Sequence, residues 1–166
     1  LDFETTTSYT LTIVAYDASS SDVADITISI TNANDAPTLA TAQADVTADE
    51  DAAYSVDVSG NFADVDVGDT LTYTATGMPS TMTMSTAGVL SGTPLNVDVG
   101  TSTVVVTATD GTASITDTFD VVIANTNDAP TLATAQADQT ATEDTAYSVD
   151  VSGNFADVDV GDTLTY

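Results

Sequence analysis

The sequence predicts an all-β protein that consists of β-sandwich units arranged in tandem. Two observations support this prediction. The stretch 34–73 returns at 127–166, displaced by 93 positions, and only three of its forty residues differ. Apolar residues make up 42% of the chain and alternate with polar ones in short β-branched runs. A fixed period of this size indicates an array of one structural unit, and no helix pattern of useful length is present.

The repeat divides the chain into one complete unit and two partial ones. We predict that residues 1–37 are the C-terminal part of a unit, 38–130 a complete unit, and 131–166 the N-terminal part of the next. A unit of 93 residues is large enough for its own hydrophobic core. Because the chain starts at Leu1 and stops inside a predicted strand at Tyr166, we expect it to be a window of a longer protein.

The strands follow from the alternation of apolar and polar residues. Residues 9–15 and 26–30 predict two half-buried strands, joined by a hairpin loop at 18–22. In the complete unit we predict seven strands, near residues 43–48, 53–59, 70–76, 81–85, 87–91, 102–110 and 114–124. Seven short strands with Gly, Pro and Asn turns between them are typical of a sandwich. The predicted core consists of Val56, Val58, Leu71, Tyr73, Met82, Leu90, Val104, Val106, Phe119, Val121 and Ile123.

Each unit ends in the linker sequence Asn-Asp-Ala-Pro. Pro37 and Pro130 end the last strand and stiffen the step into the next unit. Because this linker is very short, we expect neighbouring sandwiches to sit pole to pole and the array to form a rod.

The charge of the chain excludes several classes of partner. There are 26 acidic residues and no Lys, Arg or His, which gives a net charge of −26. Such self-repulsion must be relieved by bound or condensed cations. Nothing in the chain can neutralise phosphate, so nucleic acid is excluded and anionic membrane surfaces are disfavoured. No apolar run is long enough to insert into a membrane. Without Cys or His, disulfides and zinc sites are excluded as well.

Acidic and amide side chains recur in three groups. They are Asp64, Asp66 and Asp69 with copies Asp157, Asp159 and Asp162; the linker residues Asn32, Asn34 and Asp35 with copies Asn125, Asn127 and Asp128; and Asp17 with its copy Asp110. Asp110 continues the inward phase of its strand, so it should point into the pole of the sandwich. Carboxylates gathered there repel each other unless a cation joins them, and hard oxygen ligands of this kind suit calcium.

Four short motifs, in this order and spacing, resemble those of bacterial cadherin-like repeats. Leu1-Asp2-Phe3-Glu4 is similar to their Leu-Asp-x-Glu, residues 32–37 to their Asp-x-Asn-Asp-x-x-Pro linker, Asp64-x-Asp66 with Gly68 and Asp69 to their Asp-x-Asp, and Ala108-x-Asp110 to their Ala-x-Asp. Residues 68–73 and 88–94 look most like the dystroglycan-type variety. The resemblance covers essentially the whole chain. It implies seven-stranded Greek-key β-sandwiches of the cadherin/Ig-like kind, joined end to end by short calcium-binding linkers.

The resemblance also implies calcium (Ca2+) at two junctions. The first junction, between 1–37 and 38–130, would take Asp2, Glu4, Asn32, Asn34, Asp35, Asp64, Asp66, Asp69 and Asp110. The second junction, between 38–130 and 131–166, would take Glu50, Asn125, Asn127, Asp128, Asp157, Asp159 and Asp162. The match is imperfect, because the linker starts with Asn in both copies and is one residue short. The complete unit has Leu90-Ser91-Gly92-Thr93 where Leu-Asp-x-Glu should be. We therefore expect fewer calcium ions at the second junction than at the first.

Simpler interpretations of the same residues stay open. Asp64–Asp69 could be a solvated turn that binds no ion, and the two linkers could be turns without direct ligation. Glu50 is flanked by Asp49 and Asp51, so its role is the least defined. An EF-hand loop is excluded, because the Gly of this segment comes at the fifth position and Ala75 stands where the bidentate Glu belongs.

The sequence favours a structural role over catalysis. There is no His, Cys or basic residue and no nucleophile in a recognisable elbow, and the paired carboxylates fit calcium better than glycoside hydrolysis. We predict a segment of a long extracellular bacterial protein, at the cell surface or in a secreted filament, that calcium stiffens into a rod supporting adhesion. Its partners would be neighbouring repeats of the same chain or identical chains. The alternative is a calcium-dependent polysaccharide-binding module, although Trp is absent.

Overall fold

The computed structural model describes residues 1–166 and confirms an all-β protein. Three 3-10 turns of three residues each, at Ser59–Asn61, Asn96–Asp98 and Ser152–Asn154, are its only helical elements. None of them has the length and apolarity that crossing a membrane requires. The strands are β1 Ser8–Tyr16, β2 Ser21–Ser29, β3 Thr38–Leu39, β4 Val46–Asp49, β5 Tyr54–Asp57, β6 Phe62–Ala63, β7 Thr72–Thr76, β8 Met82–Met84, β9 Val89–Gly92, β10 Gly100–Thr109, β11 Ser114–Ala124, β12 Thr131–Leu132 and β13 Phe155–Ala156.

The central unit is a sandwich of two main sheets. One sheet has four strands in the order β4-β11-β10-β7, and the other has three in the order β5-β9-β8. All pairs are antiparallel except β4 and β11, which run parallel. The seven strands that the sequence predicts for this unit are all present, with bounds shifted by at most three residues. The sequence missed only the two-residue pair β3–β6.

Between the two sheets lies a core of 12 buried apolar side chains. Nine of the eleven predicted core residues are among them, and the other two, Val56 and Leu71, pack against the core while partly buried. The sequence missed Ala48, Phe62 and Ala108. The alternation of inward and outward positions therefore located the core, as expected for strands with one buried face.

Residues 8–29 form the predicted hairpin, but the prediction that its strands are half-buried is wrong. β1 and β2 pair along their whole length, from Ser8 with Ser29 to Tyr16 with Ser21, and every residue in both strands is exposed. Leu11 is 51% exposed, whereas Val104, at the same position of the complete unit, is 0% exposed. The difference arises because no second sheet faces the hairpin within this chain.

Residues 131–166 keep only part of the structure of their copy. β12 pairs with β13 in the register in which β3 pairs with β6. The residues that correspond to β4 and β5 are not strands. In the complete unit these strands pair with β11 and β9, and this last segment has no such partners within the chain.

The strand directions place the acidic residues at two opposite poles of the complete unit. β11 begins after the turn at Asp110 and ends at Ala124, where the linker to the next unit starts. Because β4 runs parallel to β11, Glu50, which follows β4, lies beside that end; its N–H donates to the carbonyl of Ala124 at 3.0 Å. The loop 64–69 lies near Asp110 at the other pole. An eleven-residue strand separates the poles by roughly 35 Å.

Candidate metal sites at the two junctions

At the first junction the linker is hydrogen-bonded directly to the complete unit. Asp66 accepts from the side-chain amide of Asn32 at 2.9 Å and from the backbone N–H of Asp35 at 2.7 Å. The Asp35 N–H, followed by the Asn32 amide, holds the pKa of Asp66 below its ordinary value. Asn34 donates to Asp110 Oδ2 at 3.0 Å. Two of the carboxylates predicted to bind calcium, Asp66 and Asp110, therefore also fasten the linker to this pole.

Six carboxylates gather here in two clusters. In each cluster one oxygen of every residue lies within 4.8 Å of the others; cluster 1 is Glu4, Asp35 and Asp66, and cluster 2 is Asp64, Asp69 and Asp110. Desolvation, followed by the charges of Asp66, Asp64 and Asp110, raises the pKa of Asp69. A backbone hydrogen bond lowers the pKa of Glu4, but desolvation and the nearby Asp2 and Asp66 carboxyl groups outweigh it. Asp64 Oδ2 is buried and has no hydrogen-bond partner.

The second junction repeats the central part of this arrangement. Asp159 Oδ2 accepts from the N–H of Asp128 at 2.7 Å, as Asp66 does from Asp35. The N–H of Asp159 donates to Asp157 Oδ1 at 3.0 Å. Both copies thus share the bond from the linker N–H to the second aspartate and the bond within the Asp-x-Asp motif, whereas the bond from Asn32 to Asp66 occurs only at the first junction.

Two further clusters form at the second junction, with the same limit of 4.8 Å between oxygens. Cluster 3 is Glu50, Asp128 and Asp159, and cluster 4 is Asp157, Asp159 and Asp162. Desolvation, followed by the charges of Asp51, Asp159 and Asp157, raises the pKa of Asp128. Cluster 3 joins three parts of the chain, because its members come from the complete unit, the linker and the next unit.

Glu50 is the most buried member of any cluster, at 2% exposed. Its Oε1 accepts from the N–H of Thr126 at 2.6 Å. Its Oε2 is buried and has no hydrogen-bond partner. Burial removes the hydration of this carboxylate oxygen, and no hydrogen bond compensates for that loss. A bound cation would compensate for it. The copy of Glu50, Glu143, is exposed.

Several predicted site residues lie outside the clusters. Asp2 accepts from Thr5 Oγ1 at 2.7 Å and from the N–H of Glu4 at 3.1 Å; the side chain of Thr5, followed by that of Glu4, lowers the pKa of Asp2. Asn127 donates to the carbonyl of its neighbour Asp128 at 2.7 Å. Asn125 does not hydrogen-bond to Asp159, although its copy Asn32 bonds to Asp66.

Asn96 is not among the site residues predicted from the sequence, yet its side-chain amide lies 3.4 Å from Asp159 Oδ1. The signal was available, since the displacement of 93 residues aligns 94–97 with 1–4. The prediction that Leu90–Thr93 occupies the position of the Leu-Asp-x-Glu motif is wrong, because residues 89–92 form β9 and Leu90 lies in the core.

The clusters fit a hard divalent cation. They offer only carboxylate and amide oxygens, at spacings that allow a shared ion, and calcium takes six to eight such ligands including backbone carbonyls and water. Two buried carboxylate oxygens without partners, on Glu50 and Asp64, support that fit independently of the acidic composition.

The comparisons with known proteins agree with this architecture. Residues 36–124 match the family model described as "Putative Ig domain". The chain belongs to this Ig-like family. No curated protein matches the chain.

Solved cadherin structures share the fold. Protocadherin gamma B7 extracellular cadherin domains 1–4 match with a TM-score of 0.58 at 19% identity, covering 87% of this chain and 39% of that chain. Mouse clustered PcdhgC3 EC1–3 matches with a TM-score of 0.56 at 20% identity, covering 76% and 46%. A SusE-like surface-located polysaccharide-binding protein from Bacteroides thetaiotaomicron has a TM-score of 0.43 at 23% identity, covering 54% and 15%. The chain thus spans less than half of each of these proteins, and the cadherin/Ig-like sandwich is confirmed.

Proposed function

We propose that this chain is a structural, non-enzymatic segment of an extracellular bacterial adhesion protein, in which calcium at each junction fixes one sandwich against the next. An Ig-like and cadherin-like fold suits a structural or adhesive role. The cation would join carboxylates of two units and their linker, so that binding it orders the junction and builds a rod. Its partners would be the neighbouring units of the same chain or of identical chains.

The observation that carries the proposal is the buried, unpartnered Oε2 of Glu50. Glu50 belongs to the complete unit, while Asp128 of the linker and Asp159 of the next unit complete cluster 3. Without a cation the three carboxylates repel each other at short range, and this repulsion pushes the two units apart. With a cation, the same groups attract the units to a shared centre.

The energy involved is modest at one site and becomes large over an array. Extracellular modules bind calcium with dissociation constants of roughly 10⁻⁴ to 10⁻³ M. At ten times the dissociation constant, one site contributes about 1.4 kcal/mol. With net charge −26 and no basic side chain, relief of self-repulsion adds to that figure.

The repeat supplies a matched pair of variants for the binding test. Glu50→Gln removes the buried carboxylate, whereas Glu143→Gln makes the same change at the exposed copy. In calorimetric titrations with Ca2+, we expect Glu143→Gln to match the parent chain and Glu50→Gln to lose one binding site. Equal titrations for Glu50→Gln and the parent chain would remove the main support for the proposal.

Stiffening needs a separate measurement, since an ion can bind without changing the shape of the chain. Small-angle scattering should give a larger maximum dimension with Ca2+ than after chelation, and Glu50→Gln should reduce the difference. If the scattering curves with and without Ca2+ coincide while calorimetry reports binding, the sites exist but do not stiffen the array.

A further inference from the structure

The two junctions differ in what the same loop contributes to them. At the first junction the loop 1–6 contributes Glu4 to cluster 1. At the second junction the corresponding residue is Val97, whose side chain is 76% exposed and cannot ligate a cation. Cluster 3 therefore receives no carboxylate from this loop.

The same loop brings the amide of Asn96 to the central aspartate of the second junction. Its side-chain amide lies 3.4 Å from Asp159 Oδ1. At the first junction the matching oxygen, Asp66 Oδ1, accepts from the linker residue Asn32 instead. An amide thus meets the central aspartate in both junctions, but at the second it comes from the body of the complete unit. An amide side chain carries an oxygen beside its NH2 group, and a half-turn about its last bond exchanges the two.

The loop that carries Asn96 is held firmly. Asp98 is 8% exposed and accepts from the N–H of Ser80 at 2.6 Å, from its hydroxyl at 2.7 Å, and from the N–H of Leu95 at 3.2 Å. The N–H of Asp51 donates to the carbonyl of Pro94 at 2.8 Å, which ties this loop to the residue after Glu50. Asn96 and Glu50 therefore approach cluster 3 from two segments that are bonded to each other, as a preorganised ligand set requires.

We propose that Asn96 supplies an amide oxygen to the cation held by Glu50, Asp128 and Asp159, in place of the carboxylate that the first junction takes from the same loop. This inference rests on the proposed function, and on the unpartnered Oε2 of Glu50 as the sign that cluster 3 holds an ion. Three carboxylates already exceed the charge of Ca2+ by one. A neutral fourth ligand adds an oxygen without adding repulsion, and affinity in such sites is tuned by the number of charged ligands.

Titrations of the 166-residue chain with Ca2+ and with Tb3+ test the assignment. We expect Asn96→Ala to weaken the site that depends on Glu50 by roughly 10- to 100-fold, the range seen when a supporting side chain of a metal site is removed. Asn96→Asp restores an oxygen with a charge, so it should bind Ca2+ at least as tightly as the parent chain. Val97→Ala, on the same turn but exposed, is the control and should change nothing.

A second readout separates ligation from a merely structural role. The side-chain NH2 signals of Asn96 in an NMR spectrum should shift on adding Ca2+ to the parent chain, and should keep their calcium-free position in Glu50→Gln. If Asn96→Ala binds like Val97→Ala while Glu50→Gln loses the site, the role of Asn96 is overturned and the proposed function stands. If Glu50→Gln also binds normally, the proposed function falls with it.

Discussion

Residues 34–73 and 127–166 have nearly the same sequence and different structures. Tyr54–Asp57 forms strand β5, whereas the identical sequence at 147–150 forms no strand. No substitution lies within these four residues, so the cause is outside them. In the complete unit Tyr54 pairs with Gly92 and Asp57 with Val89, on a strand that the last segment lacks. Strand formation in this fold therefore depends on pairing partners that are distant in sequence.

The same comparison shows which features are local. The pair β3–β6 has its counterpart in β12–β13. The hydroxyl of Tyr73 donates to the carbonyl of Ser59 at 3.2 Å, and that of Tyr166 donates to Ser152 at 2.9 Å. The second aspartate of the Asp-x-Asp motif accepts from the linker N–H in both copies, at 2.7 Å each. These contacts therefore form from the linker and the first half of a unit alone, without the strands of its second half.

The largest expected change in structure comes from adding the strands with which residues 139–142 and 147–150 would pair. We predict that extending the chain beyond Tyr166 by a copy of residues 74–130 converts 139–142 and 147–150 into strands. Opening free energies from amide hydrogen exchange at 147–150 should rise from near zero to several kcal/mol, since buried core strands exchange only by large-scale unfolding. An extension by 74–130 with its segments in scrambled order is the control. Unchanged exchange in the native-order extension would mean that the copies differ for a local reason.

The next largest effect is a difference in the free energy of unfolding between alanine substitutions of two phenylalanines at the same position of the repeat. Phe62 is 7% exposed and packs edge-on against Tyr73 at 5.7 Å, while Phe155 is 41% exposed. Phe62→Ala should lower the free energy of unfolding of the central unit by about 3–5 kcal/mol, the range for a buried aromatic. Phe155→Ala should change it by less than about 0.5 kcal/mol. Urea unfolding followed by circular dichroism measures both, and equal effects would contradict the difference in packing.

A smaller effect concerns Asp98, which belongs to the half of the unit that the last segment lacks. Burial alone would raise the pKa of Asp98, but hydrogen bonds from Thr81, Ser80 and Leu95 lower it to about 2. Because the folded pKa lies below the unfolded one, this stabilisation is complete above pH 4 and is lost as the pH falls towards 2. Asp98→Ala should cost about 1–3 kcal/mol near pH 7, since it leaves buried donors without a partner.

Thermal unfolding of the parent chain and Asp98→Ala between pH 2 and pH 7 checks this prediction. The difference between the two melting temperatures should shrink as the pH falls below 4. Asp57→Ala is the exposed comparison: the side chain and N–H of Ser59 lower the pKa of Asp57 as well, so its effect should shrink in the same direction but be much smaller, because Asp57 is exposed. A difference that stays constant down to pH 2 would show that the hydrogen bonds of Asp98 do not depend on its charge.

The sequence predicted the parts of the fold that repeat or alternate. The seven strands and nine core residues followed from the period of two and from turn residues. The period of two and the turn residues could not predict that the hairpin is exposed. Leu11 and Val104 lie in the same alternating pattern and differ only in whether a second sheet covers them. Alternation reports which face of a strand is apolar, but not whether its partner is present.

The candidate sites were predicted in composition and only partly in geometry. Clusters 1 to 4 consist entirely of carboxylates that the sequence had singled out. Asn96 was missed because the displacement of 93 places it opposite Phe3, which is not an oxygen ligand, so the alignment marks its loop while only the 3.4 Å approach to Asp159 marks its side chain. The burial of Glu50 was also out of reach, since it depends on the parallel pairing of β4 with β11.

The smallest expected effect is the pH dependence of calcium binding at the second junction. Desolvation and the charges of Asp51, Asp159 and Asp157 raise the pKa of Asp128. Because the pKa of Asp128 is raised in the folded chain, its protonation at low pH reduces the repulsion among the carboxylates of the calcium-free junction. This stabilisation is lost as the pH rises through the folded pKa. Protons therefore compete with Ca2+, and the affinity at pH 5 should be roughly two- to tenfold weaker than at pH 7.5.

Titrations in two buffers of different ionisation enthalpy count the protons that leave when Ca2+ binds. The parent chain should release a fraction of a proton near pH 5 and almost none at pH 7.5. Asp128→Asn should bind more weakly at both pH values but with a flatter dependence, because the group that holds the competing proton is gone. If the pH dependence of the affinity keeps its slope in Asp128→Asn, another carboxylate of cluster 3 carries the competing proton.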